Sequence, residues 1–303
     1  MTTSLHDPAT DHSATAVDAP TRVNHASPAA QPRLQIEDAT IGYDTRVISE
    51  NLSVQIPDGS FTVIVGSNAC GKSTLLRALS RLLKPSCGSV VLDGRAITAY
   101  KSKEVARRVG LLPQSSIAPE GITVADLVAR GRFPHQSFIK QWTEADEAAV
   151  LEAMDATGVA ELSDRLVDEL SGGQRQRVWV AMALAQDTSI LLLDEPTTFL
   201  DITHQIELLE LFTDLHEQGR TLVAVLHDLN HAARYGTHLI AMKDGAVVAE
   251  GAPAEIVTAE LVEEVFGLKC VVTPEPVAGT PQVVPLGRDR GAGRGVGTAR
   301  SVS

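Results

Sequence analysis

The sequence predicts an α/β fold, and three observations carry that prediction. Short, wholly apolar runs recur along it: FTVIV (61–65), SILLL (189–193) and TLVAVL (221–226). Such runs suit strands buried on both faces of a parallel sheet. Segments with helical spacing of apolar residues alternate with these runs, as α/β layering requires. One run passes through a glycine-bearing turn straight into an amphipathic segment, LLRALSRLL (75–83), giving the order strand, loop, helix.

Taken in order, residues 1–33 are rich in Ala, Thr, Ser, Asp, His and Pro without periodicity and read as a disordered tail. LQIEDATIGY (34–43) alternates like a half-exposed strand. GSVVLDG (88–94) is a short strand closing on an Asp-Gly turn. From 115 to 170 the alternation disappears, and TVADLVARGR and EADEAAVLEAMDATG read as amphipathic helices. The second starts at Thr143, with Glu144, Asp146 and Glu147 in the first turn, where the helix dipole favours acids. This stretch reads as a helical insertion dividing the core into 34–114 and 171–250. Residues 271–285 form a short C-terminal extension, and the Gly/Arg/Ser-rich 286–303 a second disordered tail. No internal repeat is visible.

Composition narrows the function classes. At 303 residues, 44% hydrophobic and 21% charged, the chain can bury an ample core in one or two domains. A net charge of −12 argues against nucleic acid as a partner, which needs a basic face. Three cysteines without CxxC spacing speak against a disulfide framework or zinc site and make a reducing compartment the default. No stretch approaches the ~20 apolar residues of a membrane span, and the N-terminus lacks the basic and apolar regions of a signal peptide. Work at a membrane would therefore go through a partner.

The turn after FTVIV is GSNACGKST (66–74), with Gly66, Gly71, Lys72 and Ser73 at the fixed positions of a P-loop. Loop amides and the helix dipole would cradle the β- and γ-phosphates of a nucleotide. Lys72 would reach those phosphates and the Ser73 hydroxyl would ligate Mg²⁺. Ser67, Asn68, Ala69 and Cys70 fill the free positions and Thr74 ends the cradle. Cys70 reads as a small filler rather than a catalyst, although modifying it would block nucleotide entry. SILLL runs into Asp194 and Glu195, adjacent acids that are costly after an apolar strand unless a cation or partner waits there. Asp194 would hold Mg²⁺, and Glu195 would be the general base that polarises the attacking water.

Three further residues keep two readings each. His227, after TLVAVL, either touches the γ-phosphate and holds the water or is a structural histidine. Gln114, ending GLLPQ, either reaches Mg²⁺ and the water or is a turn glutamine. Tyr43 either stacks on adenine or is a core or rim aromatic. LSGGQ (170–174) poses a different problem. Ser171 and Gln174 have capping-box spacing ahead of Val178, Ala181, Met182 and Ala185, apolar at helical period. Yet Gly172 and Gly173 each cost about 1 kcal/mol against alanine in a helix. Bare glycines there serve a phosphate that must approach the amides closely, so the chain carries two phosphate-type helix starts.

With LSGGQ in place, residues 34–265 resemble the nucleotide-binding subunit of ABC transporters, motif by motif and in order. Tyr43 matches the A-loop aromatic, GSNACGKST Walker A and Gln114 the Q-loop glutamine. LSGGQ is the signature, ILLLDE matches Walker B, Asp201 in TFLD the D-loop aspartate, and His227 the H-loop histidine. The resemblance implies a P-loop NTPase (RecA-like) core with a mixed sheet, an antiparallel β subdomain and an inserted α-helical subdomain, together spanning 34–270. It implies ATP hydrolysis with ATP and Mg²⁺, the metal held by Ser73, Gln114 and Asp194. It also explains the paired helix starts: Ser171, Gly172, Gly173 and Gln174 of one subunit cap the nucleotide held by the other in a head-to-tail homodimer. The other implied partners are an integral-membrane permease touched by the helical insertion and, indirectly, a substrate-binding protein. The chain would then sit on the cytoplasmic face of the membrane. ITVADLVARGRFPHQ (122–136), the stretch 227–245 and EVFGLKCVVTPEPVAGTPQVVP (264–285) are similar to importer ATPases for ferric siderophores, with those for haem and cobalamin as relatives. A soluble ABC protein of DNA or ribosomes would carry long coiled coils or two cassettes, and many exporters fuse the cassette to membrane spans. A module that only holds ATP would not need Glu195 and His227.

Overall fold

Residues that alternate along the central strands part into two hydrophobic cores. The computed structural model describes residues 32–114, 117–136 and 142–287; the two tails expected from the sequence lie almost wholly outside them. Its strands are β1 Leu34–Tyr43, β2 Arg46–Ile56, β3 Phe61–Gly66, β4 Cys87–Leu92, β5 Arg95–Ala96 and β6 Val109–Leu112. They continue with β7 Ile190–Asp194, β8 Thr221–Val225, β9 His238–Lys243, β10 Ala246–Gly251, β11 Cys270–Pro274 and β12 Pro281–Pro285. The helices are α1 Lys72–Leu79, α2 Ser102–Ala106, α3 Val124–Ala129, α4 Glu144–Ala156 and α5 Gly172–Ala185, then α6 Ile202–Glu217, α7 Leu229–Tyr235, α8 Pro253–Ile256 and α9 Ala259–Phe266.

The main sheet has the order β10-β9-β3-β8-β7-β6, parallel except for β10. β3, β7 and β8 are buried at every position. Side chains alternate between faces along a strand. Val63, Val65, Leu191, Leu193, Leu222 and Ala224 accordingly join a core with α5 and α6, where Phe61 meets the Phe212 ring edge-on at 6.4 Å. Ile64, Leu192, Val223 and Val225 join the other core, with Leu75, Leu76 and Leu79 of α1 and the inner face of an antiparallel sheet. That sheet has the order β2-β1-β4-β5. The mixed main sheet, the antiparallel β layer and the helical part agree with the fold the sequence predicts. Arg33, which the sequence places in the tail, is instead held to Asp93 at 2.7 Å, because that carboxylate turns back after β4.

Both expected helix starts in the helical segment are present. Thr143 caps α4 through a capping box with Asp146, and α3 begins at the Thr123 cap. TVADLVARGR does not stay helical to its end: after Ala129 the chain tightens into a 3-10 turn, Arg130–His135. Pro134 brings no N–H to continue the ladder. Arg132 turns inward to bind Asp146 at 2.9 Å and the Ala185 carbonyl at 2.8 Å. Both side chains are buried, so one ion pair joins the 3-10 turn, the start of α4 and the end of α5. The Thr143 hydroxyl first, and Arg132 with it, hold the Asp146 carboxyl below the usual carboxylate range.

The stretch 271–285 is more than an extension. β11 and β12 form a hairpin whose Cys270 and Val283 enter the α5 and α6 core. Asn230 of α7 clamps the Val283 backbone, accepting from its N–H at 2.7 Å and donating to its carbonyl at 3.3 Å.

Asp146→Ala strands the buried Arg132 charge and is expected to lower stability by about 3 kcal/mol, read as a drop in the urea midpoint. Because the Asp146 pKa is depressed on folding, its contribution is present at neutral pH and fades as pH falls through the folded value. The gap between variant and parent should therefore narrow in acid.

Candidate active site

Four neighbouring parallel strands deliver the site. β3, β8, β7 and β6 lie side by side, and their register keeps the carboxyl ends level, with Leu112 beside Leu193 and Asp194 beside Val225. Ligands of open α/β sheets bind at that edge. Lys72 follows β3, His227 follows β8, Asp194 ends β7 with Glu195 just after it, and Gln114 follows β6. These strands are distant in sequence, and β3, β7 and β8 are buried throughout, so tertiary packing fixes the edge.

The turn after β3 needs two of its glycines. Gly66 has φ 155°, and a Cβ there would collide with the Met242 carbonyl and the Cys70 sulfur. Gly71 has φ 106°, in the left-handed region, and begins α1. The turn curls around Lys72, whose Nζ donates to the carbonyls of Gly66 at 3.0 Å and Ser67 at 2.8 Å and lies 3.9 Å from the Cys70 sulfur. Lys72 is only 5% exposed, so a cation is fixed at the helix start where anions already bind well.

Behind it, the Ser73 hydroxyl donates to Asp194 Oδ1 at 2.8 Å. Asp194 is 2% exposed. Burial pushes its carboxyl above the usual range; the Ser73 bond pulls the other way, and the neighbouring Glu195 charge adds to the rise. A hydroxyl paired with a buried carboxylate whose charge is unfavourable is a donor set suited to a hard divalent cation.

Glu195 holds the centre. Its Oε2 accepts from Gln114 Nε2 at 2.7 Å and from the Thr198 hydroxyl at 3.4 Å, and its Oε1 lies 2.8 Å from His227 Nε2. Its backbone is left-handed at φ 55°, strain of the kind concentrated at functional sites. Gln114 uses its amide nitrogen here, whereas a cation would take its carbonyl oxygen.

A cavity of about 700 Å³ is lined by Tyr43, Asn68, Ala69, Gly71, Lys72, Ser73, Thr74, Gln114, Glu195 and His227. That volume falls within the ~300–1,000 Å³ of small-molecule sites. Tyr43 stands half-exposed at it, its hydroxyl accepting from Arg77 at 3.2 Å. Arg46 and Ile48 also line the cavity, and the sequence reading missed both. Their signal was slight: they lie across the hairpin from Tyr43, whose partner in β2 is Arg46.

Ser171, Gly172, Gly173 and Gln174 are not in that lining. Ser171 caps α5 in a reciprocal capping box with Gln174. Gly172 borders a second cavity, about 520 Å³, with Arg175, Gln176, Trp179, Thr198, Phe199 and again Gln114. A Cβ on Gly172 or Gly173 would meet only ordinary contacts, at 3.7 Å from Phe199 and 3.4 Å from Leu200. Nothing among the described residues demands glycine at these positions. Asp201 sits nearby as the cap of α6.

Residues 49–198 match the ABC transporter family. The ferric enterobactin transport ATP-binding protein FepC of Escherichia coli (strain K12) is 62% identical over 257 residues, covering 84% of this chain and 95% of FepC. The chain belongs to the ABC transporter family. An inward-facing transporter described as of the metal-chelate type is 27% identical with a TM-score of 0.72, covering 85% of this cassette and 98% of that chain. A dimeric post-hydrolysis state of the ATP-binding cassette MJ0796, bound to ADP and Pi, is 28% identical with a TM-score of 0.65, covering 72% and 98%. The cassette is an ATP hydrolase, and its nucleotide is ATP.

Lys72→Ala removes the one cation built into the turn. Turnover of ATP by the cassette is expected to fall by at least about a hundredfold, measured as phosphate release; unchanged release would take Lys72 out of the reaction.

Proposed function

We infer that this cassette is the ATP-hydrolysing subunit of an importer that energises uptake of ferric siderophores through a membrane permease. One observation carries the catalytic half: Gln114, Thr198 and His227 all converge on the Glu195 carboxylate beside the Lys72 turn. The cargo rests on 62% identity, across 84% of the chain, to a ferric enterobactin transport protein.

ATP lies with its phosphates against the Gly66–Thr74 turn and its base at Tyr43. Lys72 neutralises phosphate charge from a preorganised position. Ser73 and Asp194, with the Gln114 oxygen, would hold Mg²⁺, which would supply positive charge to the phosphates. Glu195 accepts the proton of the attacking water, while His227 and Gln114 fix the carboxylate's direction. Gly172 and Gly173 serve a second copy: with Ser171 they cap the γ-phosphate bound to its partner, leaving the amides uncovered for close approach. Two shared nucleotides close a two-fold dimer and hydrolysis releases it, a shift set by differential contacts.

The helical segment carries the permease contact. Ile117 and Phe133, apolar and 93% and 63% exposed, lie on it, and Gln114 stands at its start. Among the described residues no helix is long and apolar enough to cross a membrane. The cassette is held at the cytoplasmic face through that permease and meets a substrate-binding protein only indirectly.

Glu195→Gln should bind ATP without turning it over and elute as a dimer on gel filtration with MgATP; a monomer throughout would remove the shared site. Deleting the gene should abolish uptake of labelled ferric siderophore. Normal uptake in a strain with no second importer would discard the iron cargo.

A further inference from the structure

The turn that follows Glu195 is held in an unusual shape by side chains from two helices. Phe199 is left-handed at φ 69°, the second non-glycine residue in that region within five positions. Gln176 of α5 donates to the Pro196 carbonyl at 3.0 Å, and Gln205 of α6 donates to the carbonyls of Thr197 and Leu200 at 3.3 and 3.1 Å. The turn then ends on one carboxylate oxygen. Asp201 Oδ1 accepts from the His204 backbone N–H at 2.9 Å and lies 2.7 Å from His204 Nδ1.

The backbone bond is an ordinary helix cap; the ring contact is additional. Both contacts fall on Oδ1, and Oδ2 has no hydrogen bond among the described residues. The bonds from His204 hold the Asp201 carboxyl below its usual range, with the Arg177 charge adding a smaller share. Asp155, Arg177 and Glu207 line the same small cleft as His204.

The turn also faces outward. Phe199 and Ile202 are 77% and 79% exposed, large apolar side chains flanking the Asp201 carboxylate. The turn lies against Gly172 and Gly173, on the face that the reading above gives to a second copy. Its other end reaches the reacting group: Thr198 donates to Glu195 through its backbone N–H at 3.2 Å to the carbonyl, and through its hydroxyl at 3.4 Å to Oε2.

We propose that His204 is a positioning residue for ATP turnover. Its Nδ1–H fixes Asp201, and so sets the 196–201 turn in the one shape that both meets a second copy of this chain and holds Thr198 at Glu195. The proposal rests on the shared-site reading, and it assigns His204 no contact with nucleotide.

The test uses side-chain geometry. Asparagine places an amide N–H where His204 has Nδ1; glutamine places it one bond further out, where the ring has Nε2. In full-length protein with MgATP, His204→Asn should keep kcat within about twofold of wild type. His204→Gln should lose about tenfold in kcat, with KM little changed, as loss of one charge-assisted bond in the transition state implies. Melting temperatures of both variants should stay within a few degrees of wild type. Wild-type turnover by His204→Gln, an asparagine variant as slow as the glutamine one, or losses that simply track melting temperature would each overturn the proposal. Gel filtration with ATP separates the two readings. If the Glu195→Gln chain stays monomeric, the shared site itself fails. If it dimerises and adding His204→Gln changes neither dimerisation nor, in the Glu195 chain, kcat, only the role of His204 fails.

Discussion

The level register of four parallel strands is the constraint on which the site depends. Lys72, His227, Glu195 and Gln114 come from segments spread over more than 150 positions of the sequence, and none of them is placed by its own local structure alone. They meet because β3, β8, β7 and β6 end together. A one-residue slip in any strand would send its apolar set to the wrong core and its terminal residue away from the cavity. Burial on both faces makes that slip prohibitive, so the hydrophobic effect indirectly orients the Glu195 carboxylate.

Much of this was legible in the sequence because it is local. The Gly66–Thr74 turn, the acids after SILLL and the Ser171–Gln174 capping box each lie within a few residues, and each is built as its spacing implies. The wholly apolar runs also read correctly as parallel interior strands. What escaped depends on pairing at a distance. Arg46 and Ile48 line the first cavity only because β2 folds back on β1. Arg132 reads as one more charge in a helix, and its burial follows from a partner fourteen positions on and a carbonyl at the end of α5. The docking of the β11–β12 hairpin depends on Asn230, a helical residue 53 positions before the Val283 it clamps.

On the reading proposed above, the two cavities divide the work between copies. The first is lined by the Lys72 cation, the Ser73 hydroxyl and the Glu195 carboxylate. The second helix start, complete with its capping box, has no role there. Glycines that no neighbour among the described residues requires are a cost in helix stability of about 1 kcal/mol each, a cost that the proposed use of the space by a second copy accounts for.

Gln114 belongs to the walls of both cavities and is bonded to Glu195. It is also the last residue before the helical segment, which the Arg132–Asp146 pair ties to the far end of α5. On the reading proposed above, swinging that segment against the sheet would strain a hydrogen bond to the proton acceptor itself. The arrangement would then work as a clutch: motion relayed from a membrane-embedded neighbour would engage or disengage the chemistry without any new contact to the nucleotide.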